Sequence, residues 1–285
     1  MRHPILFSAV LAGVTALAAC GEKTADETVE RAFQDVNVVD ENNLSDVMLT
    51  VGDPNEAVTF FQRTLKEKPD SIEHQRGLSL SLVRAKRYDE GAAAWARTTT
   101  LVGATPDDSI ELADALIRAG NWDRAEKVLD SVPPTHETFK RYRLEAIVAD
   151  SQQEWKKADS FYEIAIGLTT APAPVLNNWG YSKLTRGDYS DAERLFTAAI
   201  NQDSSLFTAK NNLILARGAQ REYTLPVIPM DQVERAQLLH TLALSAIKQG
   251  DVETGKGLLR EAIDTHPQHF EAAVRSLRAL ENAAG

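Results

Sequence analysis

A single cysteine, Cys20, in 285 residues leaves no means of making an internal disulfide or a cysteine-built zinc cage. Basic charge is in deficit too: 31 lysines and arginines face 41 aspartates and glutamates, for a formal net charge of −10. Such a surface repels phosphate backbones and lacks the basic clusters that hold a protein on anionic lipid, so nucleic acid is a poor partner. The sequence has no Gly-rich phosphate loop, no Gly-x-Ser-x-Gly elbow and no His-Glu-x-x-His pair. No cofactor is expected, and the chain reads as a non-enzyme. Long apolar runs are missing as well. The most apolar uncharged stretch, Ile5 to Ala19, has fifteen residues, short of the about 20 that a spanning helix needs.

That stretch has a different meaning. Arg2 and His3 precede it, and it closes in small side chains, the layout of a secretory signal peptide over residues 1–19. Leu17-Ala18-Ala19-Cys20 resembles the bacterial lipobox, which implies that the Cys20 thiol is diacylglycerylated and becomes the new N-terminus. The alternative is a plain signal peptide that happens to end near a cysteine. More than one acyl chain makes anchoring effectively permanent. Gly21 stands where an inner-membrane retention signal would want Asp, so the outer membrane is the expected address, with inner-membrane retention left open. Residues 20–37 read as an acidic tether.

From about residue 38 the sequence resembles itself. Windows starting at GDPNEAVTFF (52), KRYDEGAAAW (86), GNWDRAEKVL (120), QEWKKADSFY (153) and GDYSDAERLF (187) are spaced by 34, 34, 33 and 34 residues, and GDVETGKGLL (250) follows the same form. Each carries a small residue (Ala57, Gly91, Ala125, Ala158, Ala192, Gly255) and a large apolar one four places on (Phe61, Trp95, Leu129, Tyr162, Phe196, Leu259). A second small position lies twelve residues earlier: Ser45, Ser79, Ala113, Ala146, Gly180 and Ala243. One small residue on each of two helices lets their axes approach, as in stacked helical hairpins. Spacing and residue types resemble the tetratricopeptide repeat, most clearly in NNWGYSKLTRGDYSDAERLFTAAI. The expectation is an all-α solenoid over residues 38–282 with about six full repeats. One degenerate unit falls near 207–231, where Pro226 and Pro229 in TLPVIPMD oppose a second helix. Leu225, Val227, Ile228 and Met230 of that segment would either fold back as a plug or leave a docking site open. A capping helix is expected at the C-terminus.

Side chains with chemistry fit structural roles. His266 and His269 straddle Pro267 with no third ligand, so no metal is expected. Asp107 and Asp108 precede a helix as caps do, and the four tryptophans fall on packing positions. What remains is a concave binding face. Asn178 and Asn212 hold equivalent places one repeat apart, and an amide both donates and accepts. Arg76, Arg84, Arg118, Arg143 and Lys248 fall at other groove-facing places and could receive a carboxylate. The alternative is that Asn177 and Asn178 start a helix while the basic residues are solvated.

The closing segment PVIPMDQVERAQLLHTLALSAIKQGDVETGKGLLREAIDTHPQHFEAA, with the ACGEK start, resembles TadD-type lipoproteins of the tight-adherence (Flp) pilus system. The resemblance implies a periplasm-facing scaffold that helps assemble or localise the outer-membrane secretin and other pilus proteins. The same layout is shared by pilotins of type IV pili, BamD-type barrel-assembly lipoproteins, and adaptors for periplasmic proteases or cell-wall enzymes.

Overall fold

The computed structural model describes residues 44–282, and every regular element among them is helical. The signal segment, Cys20 and the tether lie outside the described residues. The helices run in antiparallel pairs: α1 (residues 44–50) with α2 (Pro54–Glu67), α3 (Ile72–Arg84) with α4 (Tyr88–Thr98), α5 (Pro106–Arg118) with α6 (Trp122–Asp130). Next come α7 (Phe139–Ser151) with α8 (Trp155–Gly167) and α9 (Ala173–Thr185) with α10 (Tyr189–Gln202). Then α11 (Phe207–Ala219) stands without a second helix, and α12 (Gln232–Lys248) pairs with α13 (Val252–Thr265) before the terminal α14 (Glu271–Asn282).

Packing explains the period. Ala57, Ala125, Ala158, Ala192, Ala113, Ala146 and Ala243 are all fully buried, and the six large partners from Phe61 to Leu259 are at most 2 % exposed. Contact is close at Gly180, where a Cβ would lie 2.7 Å from a ring carbon of Phe196. Neither helix of a pair could bury its apolar stripe alone, and stacking joins the pairs into consecutive core clusters. Starts are set by caps. The Asp53 carboxylate accepts from Asn55 and Glu56 N–H, and Asp231 with Glu234 forms a reciprocal capping box on α12.

The turn between paired helices recurs as well. A residue with left-handed backbone stands at 86, 120, 153, 187, 221 and 250, and three of these (Lys86, Gln153 and Arg221) are not glycine. The residue after each donates its N–H to the carbonyl five residues back, as Asp188 does to Lys183 (2.9 Å) and Glu222 to Arg217 (3.0 Å). Arg221 therefore closes α11 as though a second helix followed. None does, since residues 220–231 are not helical. Leu225, Met230 and Tyr223 of this segment pack onto the core around Leu238, Leu242 and Leu259, and Ile228 packs onto the core around Leu213. Val227 is the departure from the expected plug: it is fully exposed. Between Pro226 and Pro229 the chain bends at Val227, with the Ile228 N–H donating to the Pro226 carbonyl (3.1 Å), so Val227 sits at the outside of a tight turn. Ile228 faces the core and Val227 the solvent.

Candidate functional site

Successive first helices touch, α5 with α7, α7 with α9 and α9 with α11, and α12 packs directly on α11. They form the inner face of the array. The residue just after each buried small position, and after Ile214 at the equivalent place in α11, gives the groove row Leu80, Asp114, Ile147, Tyr181, Leu215 and Leu244.

The groove has two unlike halves. Along α3, α5 and the start of α7 it is crossed by ion pairs. Arg76 clamps both oxygens of buried Asp108 (2.7 Å each), Arg118 reaches Asp114 (3.1 Å), and Lys140 pairs with Glu111 and, at 3.7 Å, with Asp114. From α7 to α12 the row is apolar, and the polar groups beside it are mostly amides and hydroxyls. A hollow of about 560 Å³ lies between α7, α9 and α11, walled by Trp122, Trp155 and Tyr181, with Asn177, Asn178 and Asn212 on its floor. A second, of about 580 Å³, continues along α11 and α12 past Leu215, Thr241 and Leu244 to Lys248.

Hydrogen bonds between helices fix this floor. Asn212 donates to the Asn177 carbonyl (3.0 Å), and Thr241 donates to Asn211 (2.8 Å). Asp150, at the last turn of α7, accepts from the Tyr162 hydroxyl (2.9 Å) and from Ser182 (2.7 Å). Burial pushes the Asp150 carboxyl above its ordinary value even though both hydroxyls favour the anion. Tyr162 is pushed up too, by burial first and then by the neighbouring Asp150. The Asn178 amide makes no hydrogen bond to another described residue. Asn178 is one of the residues lining the hollow.

The residues singled out from sequence thus separate. Asn178 and Asn212 share one hollow, as their 34-residue spacing requires, and Lys248 stands at the end of the next, exposed and without an ion pair among the described residues. Arg76 is taken up by Asp108 and by the Gly103 carbonyl (3.2 Å). Arg84 caps the end of α1 by donating to the carbonyls of Met48, Leu49 and Gly52 at 2.7–3.1 Å. Arg118 is paired within its own helix, and Arg143 has its Nε buried without a hydrogen-bond partner. The four arginines therefore do not converge on one anion site. Asp108 caps α5, accepting from Thr105 N–H (2.8 Å), whereas Asp107 pairs with His136 (2.8 Å). His266 bonds Gln268 and His269 pairs with Glu271 (2.9 Å). Among the described residues no group of three or more His, Cys, Asp and Glu could hold a metal.

Two tryptophans are only half-buried, although Trp122 still packs on the core around Leu116. Trp95 is buried, and Trp179 stacks on Tyr162 while donating to Asp159 (2.6 Å). Trp122 and Trp155 open the second helices α6 and α8, half-buried, and present ring surface to the groove. Arg186 lies over the Trp155 ring at 5.5 Å and pairs with Asp159. Of the groove residues missed from sequence, Ile147, Tyr181 and Leu244 follow the small residue of their unit, and Leu215 lies 34 residues after Tyr181.

The tetratricopeptide-repeat family description matches residues 43–109 and again 237–269. A search of curated proteins returns no match. Among solved structures, a tetratricopeptide repeat protein from Parabacteroides merdae superposes with a TM-score of 0.58 at 11% identity, over 85% of this chain and 98% of that one. The Cut9–Hcn1 hetero-tetramer of the APC/C gives 0.59 at 14% identity over 83% of this chain, which spans only 48% of the length of that one. The C-terminal part of a repeat protein from Cytophaga hutchinsonii gives 0.52 at 14% identity, over 81% and 97%. Together with the helix pairs and their period, these matches show that the chain has the tetratricopeptide-repeat solenoid fold, with two stretches, residues 43–109 and 237–269, similar to that family's repeats.

Proposed function

We propose that this chain is a non-catalytic, lipid-anchored scaffold that holds an extended segment of a partner protein in its concave groove. Tetratricopeptide repeats generally mediate protein–protein interaction, and one observation carries the reading to this site: Asn178, in the lining of the hollow, has an amide with no hydrogen-bond partner among the described residues. An amide there can donate to and accept from the backbone of an extended chain, whose N–H and C=O groups otherwise go unmet. The anchor is Cys20 after Leu17-Ala18-Ala19, and the address is the periplasmic face of the outer membrane. The partners are components of the tight-adherence pilus machinery, including its secretin; this rests on the resemblance of residues 226–273 to TadD-type lipoproteins.

Three measurements test the reading. A photo-crosslinking amino acid at Tyr181, introduced in cells, is expected to trap a secretin or pilus component. Deletion of the gene is expected to reduce surface pili and to disturb secretin assembly or location. Cys20→Ala should leave an unprocessed precursor that no longer labels with palmitate. Normal piliation in the deletion strain would move the role to another outer-membrane assembly, and equal palmitate labelling would end the anchor claim.

A further inference from the structure

Resting on the groove reading above, the geometry points to a specific chemistry for the bound segment: extended, apolar at every third residue, and acidic at the end that meets α12. The register follows from helix spacing. Ile147, Tyr181, Leu215 and Leu244 occupy the same place on four helices that pack side by side, and Tyr181 and Leu244 are 53% and 45% exposed. Packed helices lie about 8–10 Å apart. An extended or polyproline-like chain rises about 3.1–3.4 Å per residue. One ligand residue in three therefore meets each apolar row residue, and roughly ten ligand residues span all four helices. A helical ligand would rise about 1.5 Å per residue and meet the row every seventh position. It would also keep its backbone bonded internally and leave the Asn178 amide unmatched.

Charge sets the direction. The one acidic or basic side chain lining the hollow between α7, α9 and α11 is Asp150, whose carboxyl accepts from Tyr162 and Ser182. At the α12 end Lys248 is exposed and has no counter-ion among the described residues. An acid at the α7 end and an unpaired cation at the α12 end select a ligand whose acidic side chain lies at the α12 end.

The test uses the full chain in detergent and labelled synthetic peptides about twelve residues long, amidated at the C-terminus. Leucines are set at every second, third, fourth or seventh position in a serine–threonine background, with Asp or Lys near either end. The every-third register with a terminal Asp is expected to bind about tenfold better than the other spacings. Leu244→Asp should abolish that preference, and Lys248→Glu should reverse the choice between Asp and Lys. Both sites are exposed, so unchanged melting temperatures will show that the variants stay folded. Equal binding of all spacings, tighter binding of the seventh-position helix, or no binding of any peptide overturns the inference. So does an Asp preference that survives Lys248→Glu. Self-association lost in Leu244→Asp would assign the channel to a second copy and overturn it also. The crosslink at Tyr181 is a separate readout: a trapped pilus protein with no spacing preference leaves the groove reading standing, and no trapped protein removes it.

Discussion

Asp150 is a carboxylate for which the fold makes an unusual provision: two hydroxyls in place of a cation. Burial raises its pKa, so the folded protein holds that proton to higher pH than the unfolded chain does. Stability from this group is fully present below the ordinary aspartate range and is lost as pH rises through the raised value. Asp150→Asn removes the effect. The melting temperature of the wild type relative to this variant is expected to fall from about pH 4 to neutrality, measured by thermal unfolding at each pH. Asp108 has the opposite sign. Burial opposes its ionisation, but the Arg76 clamp and the Thr105 N–H overcome it and hold the carboxyl below its usual range. Its contribution is present above the ordinary value and lost as pH falls through the lowered one. A third residue tests the packing. Ala192 is fully buried where α10 meets α9, and Ala192→Leu should cost about 1–3 kcal/mol by overpacking, read as a lower melting temperature. Small buried positions of this kind were legible in the sequence because their spacing is fixed by helix contact. Individual arginines were not. A register shows that Arg76 and Arg84 face inward, but only coordinates show Asp108 and three backbone carbonyls waiting for them.

Turns and breaks belong to the element scale. The left-handed residue closing each first helix is strained wherever it carries a Cβ. Gln153, at φ 62°, is exposed and its side chain makes no hydrogen bond to another described residue, so Gln153→Gly should stabilise the protein by about 1 kcal/mol in denaturant unfolding. The segment 220–231 yields a paired comparison. Ile228→Asp places a charge against the core around Leu213 and should cost at least about 2 kcal/mol, with faster amide exchange in α11 and α12. Val227→Asp one residue away should be silent in the same experiment. The missing helix could be read directly from Pro226 and Pro229, since two prolines oppose helical bonding whatever surrounds them. Which side chains of that segment turn inward could not, because four apolar residues in an irregular, bent stretch have no period that distinguishes the core side. Tyr223 is instructive here. It holds the place that Tyr189 holds one unit earlier, at the start of α10, and packs inward although no helix follows.

At the scale of the whole molecule, the groove divides into a half closed by its own ion pairs and a half left neutral. No composition or period announces that division, which arises from the identities of inward-facing residues on six separate helices. The far end depends on α14. Ala273 is fully buried against the last pair, and Phe270, Leu277 and Leu280 cover the same core. Truncation after residue 268 should lower the melting temperature and expose apolar surface, detectable as increased binding of a hydrophobic dye. The vacancy after α11 has one more consequence. In a crystal, a row of atoms that stops partway through the lattice is a dislocation, and planes on either side no longer continue one another. The outer layer loses one row between α10 and α13, while the inner layer runs on without a gap from α11 to α12. Units on the two sides are thus out of phase by five residues of sequence and by one missing rod of structure. Excising a whole unit from the regular part would only shorten the stack. Excising α11 would bring together two blocks whose faces were never cut to meet.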